Sequence, residues 1–209
     1  MTGEQKLFYG EYADSIESTL NEVLFKLKSI LDGISTDPEQ VPFEHLINRI
    51  KGTDSAREKL IKKGLPADAD SALKNLSDII GIRVVTHFVG DIYDILDKIS
   101  ADDSWRVVNV KDYIASPKPN GYRSLHVIIT LPLAGTGAGF PVYINAEIQL
   151  RTIAMDCWAA LEHQMRYKKD IEDTALIYAE LKRCADEMAS TDLTMQTIRE
   201  VLIDSGKTP

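Results

Sequence analysis

A chain of 209 residues, 44% hydrophobic and 27% charged, fits one domain with a real core and excludes a disordered composition. Its net charge of −8 argues against general binding to nucleic-acid backbone, which takes a basic surface. No apolar run is long enough to span a bilayer, and the N-terminus "MTGEQKLFYGEYADS" lacks the layout of a signal peptide.

The segment to about Gly33 predicts one amphipathic helix. Ile16, Leu20, Val23, Leu24, Leu27, Ile30 and Leu31 follow i, i+3, i+4 spacing, and Gly33 suits a C-terminal cap. "STDPEQVP" reads as a loop and "PFEHLINRIK" as a short helix or turn. "TDSAREKLIKKG" predicts a helix capped by Thr53 or Asp54 and stopped at Gly64, and "DADSALKNLSD" a further one. "IIGIRVVTHF" is a strand, "GDIYDILDKIS" a helix, "WRVVNVKDYI" and "YRSLHVIITLPL" two more strands. "AGTGAGFP" is a flexible connection and "VYINAEIQLRT" a fourth strand. "TIAMDCWAALEHQMRYK" is a helix capped by Thr152. Residues 173–205 are helical again, with Leu181, Cys184, Met188, Met195, Ile198 and Leu202 as a seam. Cys157 and Cys184 fall in helices without CxxC spacing and read as reduced and buried, so the expected compartment is the cytoplasm. The whole predicts an α+β domain: a mixed sheet of four to five strands flanked by helices, with helical extensions at both ends.

Alternation sorts the strand faces. Val142, Ile144, Ala146, Ile148 and Leu150 take one face; Tyr143, Asn145, Glu147, Gln149 and Arg151 take the other. Tyr122, Ser124 and His126 share a face, and antiparallel pairing would bring them beside Glu147, Gln149 and Arg151. Such a polar face is either solvated or holds a ligand. An aromatic beside His126 and Lys118, at the turn "SPKPNGYR", suits a planar ligand held by polar groups.

Two charge patterns add to this. "NRIKGTDSAREKLIKKG" carries Arg49, Lys51, Arg57, Lys59, Lys62 and Lys63 against Asp54 and Glu58, and Ser55, Lys59 and Lys62 share a helix face. That ladder suits a polyphosphate, and equally suits a solvated basic face. Neither GxxxxGK[ST] nor GxGxxG occurs. Asp78, before "IIGIRVV", and Glu147, mid-strand, are two acids of the kind that hold Mg²⁺ together with substrate phosphates. Asp78 could instead cap the strand entrance, and Glu147 could pair with Arg151.

The stretches "NRIKGTDSAREKL", "SDIIGIRVVTHF", "VKDYIASPKPNGYRSLHVII" and "AEIQLRTIAMDCWAALEHQMRYK" together resemble the synthetase domain of the RelA/SpoT family. They cover roughly residues 43 to 168. In length the chain resembles the small alarmone synthetases, and "PKPNGYRSLH" with "AEIQLRTIAMD" is most similar to their RelP branch. The resemblance implies a nucleotidyltransferase-like fold in one synthetase domain spanning 1–209. It implies transfer of the β,γ-pyrophosphate of ATP to the ribose 3′-hydroxyl of GDP or GTP, releasing AMP. It implies that Arg49 and Arg83 sandwich adenine and that Lys51, Ser55, Lys59 and Lys62 hold the triphosphate. Asp78 and Glu147 would bind Mg²⁺, with Glu147 also accepting the 3′-hydroxyl proton. Tyr122 would stack on guanine, Lys118, His126 and Gln149 would contact the guanosine nucleotide, and Asp156 would recognise the guanine edge.

Larger members also carry a hydrolase domain with a His-Asp metal site; no adjacent His-Asp pair occurs in this sequence, so synthesis without degradation is expected. The resemblance also implies a homotetramer built through the terminal helices, residues 5–32 and 173–205, although their seams would serve intramolecular packing equally well. Two rivals stand beside this reading. One is a toxin-like pyrophosphokinase with tRNA as acceptor, which the net charge disfavours. The other is an inert nucleotide- or RNA-binding regulator, which the paired acids and basic ladder disfavour. Regulation by RNA is left open.

Overall fold

The N-terminal periodicity folds as two helices instead of one: α1 (Gly3–Tyr9) and α2 (Ala13–Asp32), separated by the 3₁₀ turn Gly10–Tyr12. Gly10 makes the break at φ 53, a left-handed conformation that costs glycine little. Ile16, Leu20, Val23, Leu27 and Leu31 are buried as their spacing predicts. Gly33 does cap α2, but at φ −83, without the left-handed geometry of the usual glycine cap. The computed structural model describes residues 1–34, 43–135, 142–166 and 174–206. The predicted loop at 35–42 and most of the predicted Gly-rich connection, 136–141, lie outside them.

Among the described residues, "HLINRI" is the one element whose type the sequence misassigns. It forms β1 (His45–Ile50), an antiparallel edge strand on β2 (Ile80–Thr86). Backbone bonds Glu44 N–H to Val85 O (2.7 Å) and Lys51 N–H to Ile79 O (2.8 Å) frame the pairing. An edge strand pairs on one side and here buries neither face fully, so its alternation is weak and pairing decides its structure. α3 (Thr53–Lys62) follows, with Gly52 as its N-cap in place of the predicted Thr53 or Asp54; Thr53 is the first helical residue and is buried. Gly64 ends the segment at φ 69. α4 (Ala69–Asn75) is capped by Asp68, whose side chain accepts from Ser71 N–H.

The remaining elements are α5 (Val89–Ala101), β3 (Arg106–Asp112), β4 (Leu125–Pro132), β5 (Tyr143–Thr152), α6 (Ile153–Arg166) and α7 (Thr174–Asp204). The sheet has five strands in the order β1-β2-β5-β4-β3. β2 and β5 are parallel; the other pairs are antiparallel, including β4 with β5 as predicted. Ile144, Ala146, Ile148 and Leu150 of β5 join Ile80, Ile82, Val84, Leu125, Val127 and Ile129 in one core with α2, α3, α4 and α5. Each of the Val, Leu and Ile side chains contributes roughly 1.5–3 kcal/mol on burial. The opposite, polar face of β5 is thereby left for the site. This is the expected α+β architecture.

α7 docks at the C-terminal end of β5. The Thr152 hydroxyl, which caps α6 by accepting from Met155 N–H, donates to Asp192 Oδ2 at 2.6 Å. Trp158 Nε1–H donates to Leu181 O. Of the α7 seam, Leu181 is buried, whereas Met195 and Ile198 are exposed. Cys157 is exposed and Cys184 partly so, which corrects the expectation that both are buried; both are free thiols. A surface position on α6 leaves Cys157 unprotected, because the burying face of that helix runs through Met155 and Trp158.

Burial pushes the Asp192 carboxyl above its ordinary range, and Thr152 and Arg123 offset this only in part. The folded chain therefore holds that proton more tightly than the unfolded one. Stability should fall as pH rises from the ordinary carboxylate value through the raised one. Asp192→Asn, which keeps an acceptor for Thr152, is expected to raise the melting temperature at pH 7 and to lose its advantage below about pH 4. Each kcal/mol recovered corresponds to about 2–4 °C in a chain of this size. A lower melting temperature of the variant at pH 7 would show that the ionised carboxylate is stabilising.

Candidate active site

The polar face of β5 opens into a cleft of about 160 Å³ between β1, β2 and β5. Asn48 and Arg49 of β1, Asp78 before β2, Gly81 and Arg83 of β2, and Glu147 and Gln149 of β5 line it. Glu147 sits in register with Gly81 on one side and Ile128 on the other. Gly81 carries no side chain there, and the Arg49 side chain packs over it, 3.4 Å from where a Cβ would stand. A larger hollow of about 560 Å³ lies by Tyr143 and Asn145, but it gathers none of the predicted site residues.

Two lysines of the basic segment, Lys51 and Lys59, meet at Asp78. Lys51 Nζ donates to its Oδ2 at 2.8 Å, and Lys59 Nζ lies 3.0 Å from Oδ1. The second contact is an ion pair outside hydrogen-bonding geometry, so buried Oδ1 keeps acceptor capacity. Burial raises the Asp78 pKa, but the two ammonium groups outweigh it and hold the carboxyl below its ordinary range. Lys51 is itself buried. Ser55 and Lys62 remain exposed on α3.

Glu147 anchors a second chain of contacts. Its Oε1 is 3.0 Å from His126 Nδ1, and its Oε2 accepts from Gln149 Nε2 at 3.0 Å. Burial pushes this carboxyl up; the bonds from His126 and Gln149 overcome that and hold it low, against a smaller repulsion from Asp78. His126 Nε2 is 2.8 Å from the Tyr122 hydroxyl, which also accepts from Arg151 Nη2 at 2.7 Å. Glu147 pairs with His126, so the alternative partner, Arg151, goes elsewhere. Arg151 Nη1 donates to Asp156 Oδ1 at 3.0 Å, and Arg83 Nη1 reaches that same oxygen at 3.1 Å.

Tyr122 and Lys118 belong to the loop ahead of β4, so the predicted strand starts at Leu125 and Tyr122 precedes it. Ser124 is fully buried, its hydroxyl donating to Leu150 O, and does not reach the polar face. Lys118 Nζ lies 4.6 Å from the ring centroids of both Tyr113 and Tyr122. Tyr113 is edge-on to Tyr122 and to His126.

Arg49, Asp78, Arg83, Glu147 and Gln149 thus share one cleft; Lys51, Lys59, His126 and Asp156 touch its lining directly, whereas Tyr122 reaches it through His126 and Lys118 through Tyr122. Sequence reasoning missed Asn48, Tyr113 and Arg151 as members. Arg151 was detectable: it alternates with Glu147 and Gln149 on the polar face. Asn48 was hidden by the misassignment of β1.

A family model described as "Region found in RelA / SpoT proteins" matches residues 48–172, which include all of these residues. The chain is 40% identical over 159 residues to the GTP pyrophosphokinase YwaC of Bacillus subtilis, covering 76% of this chain and 75% of that protein. It is 32% identical over 192 residues to the GTP pyrophosphokinase YjbM of the same organism, covering 92% and 87%. Its fold is similar to the crystal structure of small alarmone synthetase 1 from Bacillus subtilis bound to its product pppGpp. That likeness has a TM-score of 0.78 at 29% identity and covers 94% of this chain and 97% of that one.

Proposed function

The chain belongs to the RelA/SpoT family, and from that membership and the site we infer that it is a GTP pyrophosphokinase that makes (p)ppGpp. It moves the β,γ-pyrophosphate of ATP to the 3′-hydroxyl of GDP or GTP and releases AMP. The observation that carries this reading is the meeting, in one cleft, of two carboxylates with a lysine pair on one and a His–Tyr chain on the other.

The donor set fits Mg²⁺. Asp78 and Glu147 line the same cleft, Asp78 has a buried oxygen with spare acceptor capacity, and substrate phosphates and water would complete the shell. Bound there, the metal would neutralise charge on the phosphates. Lys51 and Lys59, which reach Asp78, also stand where a triphosphate bound beside that carboxylate would lie. Arg49 and Arg83, on neighbouring strands, flank the cleft for adenine. Glu147 accepts the proton of the 3′-hydroxyl as that oxygen bonds to the β-phosphorus. The bond from the β-phosphorus to the oxygen bridging it to the α-phosphate breaks, and that oxygen leaves on AMP. His126 orients Glu147 and keeps it ionised. In-line placement and charge neutralisation supply the catalysis. Tyr122 offers a ring for guanine, with Lys118, His126, Gln149 and Asp156 around it.

Acceptor choice tests the reading. AMP release is measured with Mg²⁺ and ATP alone, with GDP, with GTP and with tRNA. Stimulation by guanosine nucleotides is expected; stimulation by tRNA alone would favour the toxin-like rival.

Lys59→Ala is expected to raise KM for ATP, lower kcat, or both, by a combined 10- to 150-fold, because a charge-assisted phosphate bond is worth roughly 1.5–3 kcal/mol. Its apo melting temperature should hardly move, since the side chain is 40% exposed and such pairs contribute about 0–1 kcal/mol. Unchanged kinetics would make this a solvated basic helix.

The reading extends to a cytoplasmic homotetramer. Free thiols agree with that compartment. No described helix is long and apolar enough to cross a membrane. The α2 seam is consumed by the chain's own core, so the outer face of α7, with Met195, Ile198 and Val201 exposed, would carry the assembly.

A further inference from the structure

α7 begins at Thr174, beyond the family-matched residues 48–172, yet it is built into the loop that presents Tyr122. The loop closes on itself: Gly121 N–H donates to Lys118 O at 2.8 Å, and Lys118 N–H to Tyr122 O at 3.2 Å. Its backbone then rests directly on α7. Gly121 has φ 92, and a Cβ there would stand 2.5 Å from Ala185 Cβ and 3.2 Å from Lys182 Cα. Only a residue without a side chain fits between the loop and the helix.

Arg123 fastens this contact. Its Nη1 donates to Gly121 O at 3.2 Å and to Ala185 O at 3.1 Å, while Nη2 donates to Asp186 Oδ1 at 3.0 Å. One guanidinium therefore joins the loop backbone, the helix backbone and a helix side chain, and it is 17% exposed. The fixed fork of arginine suits such a three-way tie, which a lysine point charge would serve less well. Next to it in the same loop, Tyr122 packs edge-on to Trp158 and against the small cluster of Trp158, Leu181 and Ala185. Nothing of this kind joins α7 to Lys51, Lys59 or Asp78 among the described residues.

We propose that Arg123 is a positioning residue for the acceptor nucleotide, locking the Lys118–Tyr122 loop onto α7 so that the Tyr122 ring is held ready for the guanine base. Arg123 does not itself touch the reacting atoms. α7 becomes part of the guanosine site without contributing a side chain to it. The proposal rests on the reading of Tyr122 as the guanine platform.

The test compares KM for GDP, KM for ATP and kcat in Arg123→Ala, Arg123→Lys, Asp186→Ala and Tyr122→Ala, each with a thermal melt. Arg123→Ala is expected to raise KM for GDP about tenfold or more and to leave KM for ATP within about twofold. Arg123→Lys should recover part of the loss. Asp186→Ala, which removes one exposed partner, should shift KM for GDP in the same direction by up to about fivefold. Equal changes in both KM values, a fall in kcat alone, or wild-type kinetics in Arg123→Ala would overturn the proposal. Where Arg123→Ala fails to fold, Arg123→Lys and Asp186→Ala decide by the same selectivity. Tyr122→Ala separates the two layers: if it raises KM for ATP instead, the site assignment is wrong, and if it is selective while the Arg123 variants are not, the positioning role alone is wrong.

Discussion

Glu147→Gln is expected to reduce synthesis by at least 10²-fold, and by up to about 10⁴-fold from the loss of a general base alone. The fold should survive. Gln keeps the shape of the side chain and one of its two acceptor oxygens, and the substitution removes a repulsion with Asp78. A melting temperature close to wild type would separate chemical from structural loss. Burial opposes ionisation of Glu147, but His126 and Gln149 hold its pKa low, so the carboxylate is present at neutral pH to take the 3′-hydroxyl proton. Turnover within about threefold of wild type in a folded Glu147→Gln protein would remove Glu147 from both the metal and the base roles.

Tyr122→Ala carries the second large effect. Base–aromatic stacking is worth about 1–3 kcal/mol, so KM for GDP or GTP should rise by roughly 5- to 150-fold while KM for ATP stays near wild type. The structure sharpens this expectation through the hydroxyl. Tyr122 binds His126 Nε2 and Arg151 Nη2, and His126 binds Glu147. Tyr122→Phe keeps the ring and breaks that chain. It should therefore preserve most of the guanosine affinity and act on kcat, by loosening the imidazole behind the base. A Phe variant as poor in KM as the Ala variant would mean that the hydroxyl, and not the ring, recognises the nucleotide.

Much of this site was legible because a half-buried strand writes its two faces in alternation. Glu147, Gln149 and Arg151 stand out in "NAEIQLR" since the intervening residues are all apolar. The helix face of Lys59 was legible for a similar reason. Its partner was not: Asp78 lies 19 positions away in sequence, and only the packing of α3 beside the entry to β2 brings the two within 3.0 Å. β1 was misread because an edge strand shows little periodicity, and Asn48 was lost with it. The anchoring of the Tyr122 loop by α7 was invisible for another reason. It uses backbone oxygens of Gly121 and Ala185, and backbone atoms leave no mark in the identity of a residue. Gly121 read as an ordinary turn glycine, whereas its missing side chain is required by the approach of Ala185. The apolar spacing of α2 gave burial correctly but could not say against what; the helix covers the chain's own sheet.

The most direct test of the account follows the β-phosphate itself. ATP radiolabelled at the β-phosphorus is incubated with the protein, Mg²⁺ and GDP, and products are separated by charge. The account predicts that the label passes to a guanosine product carrying two added phosphates on the 3′-oxygen, with one AMP released per transfer and transfer by Glu147→Gln at least about 10²-fold slower. Release of AMP with the label left in free pyrophosphate, or retention of all label in ATP and ADP, would contradict it.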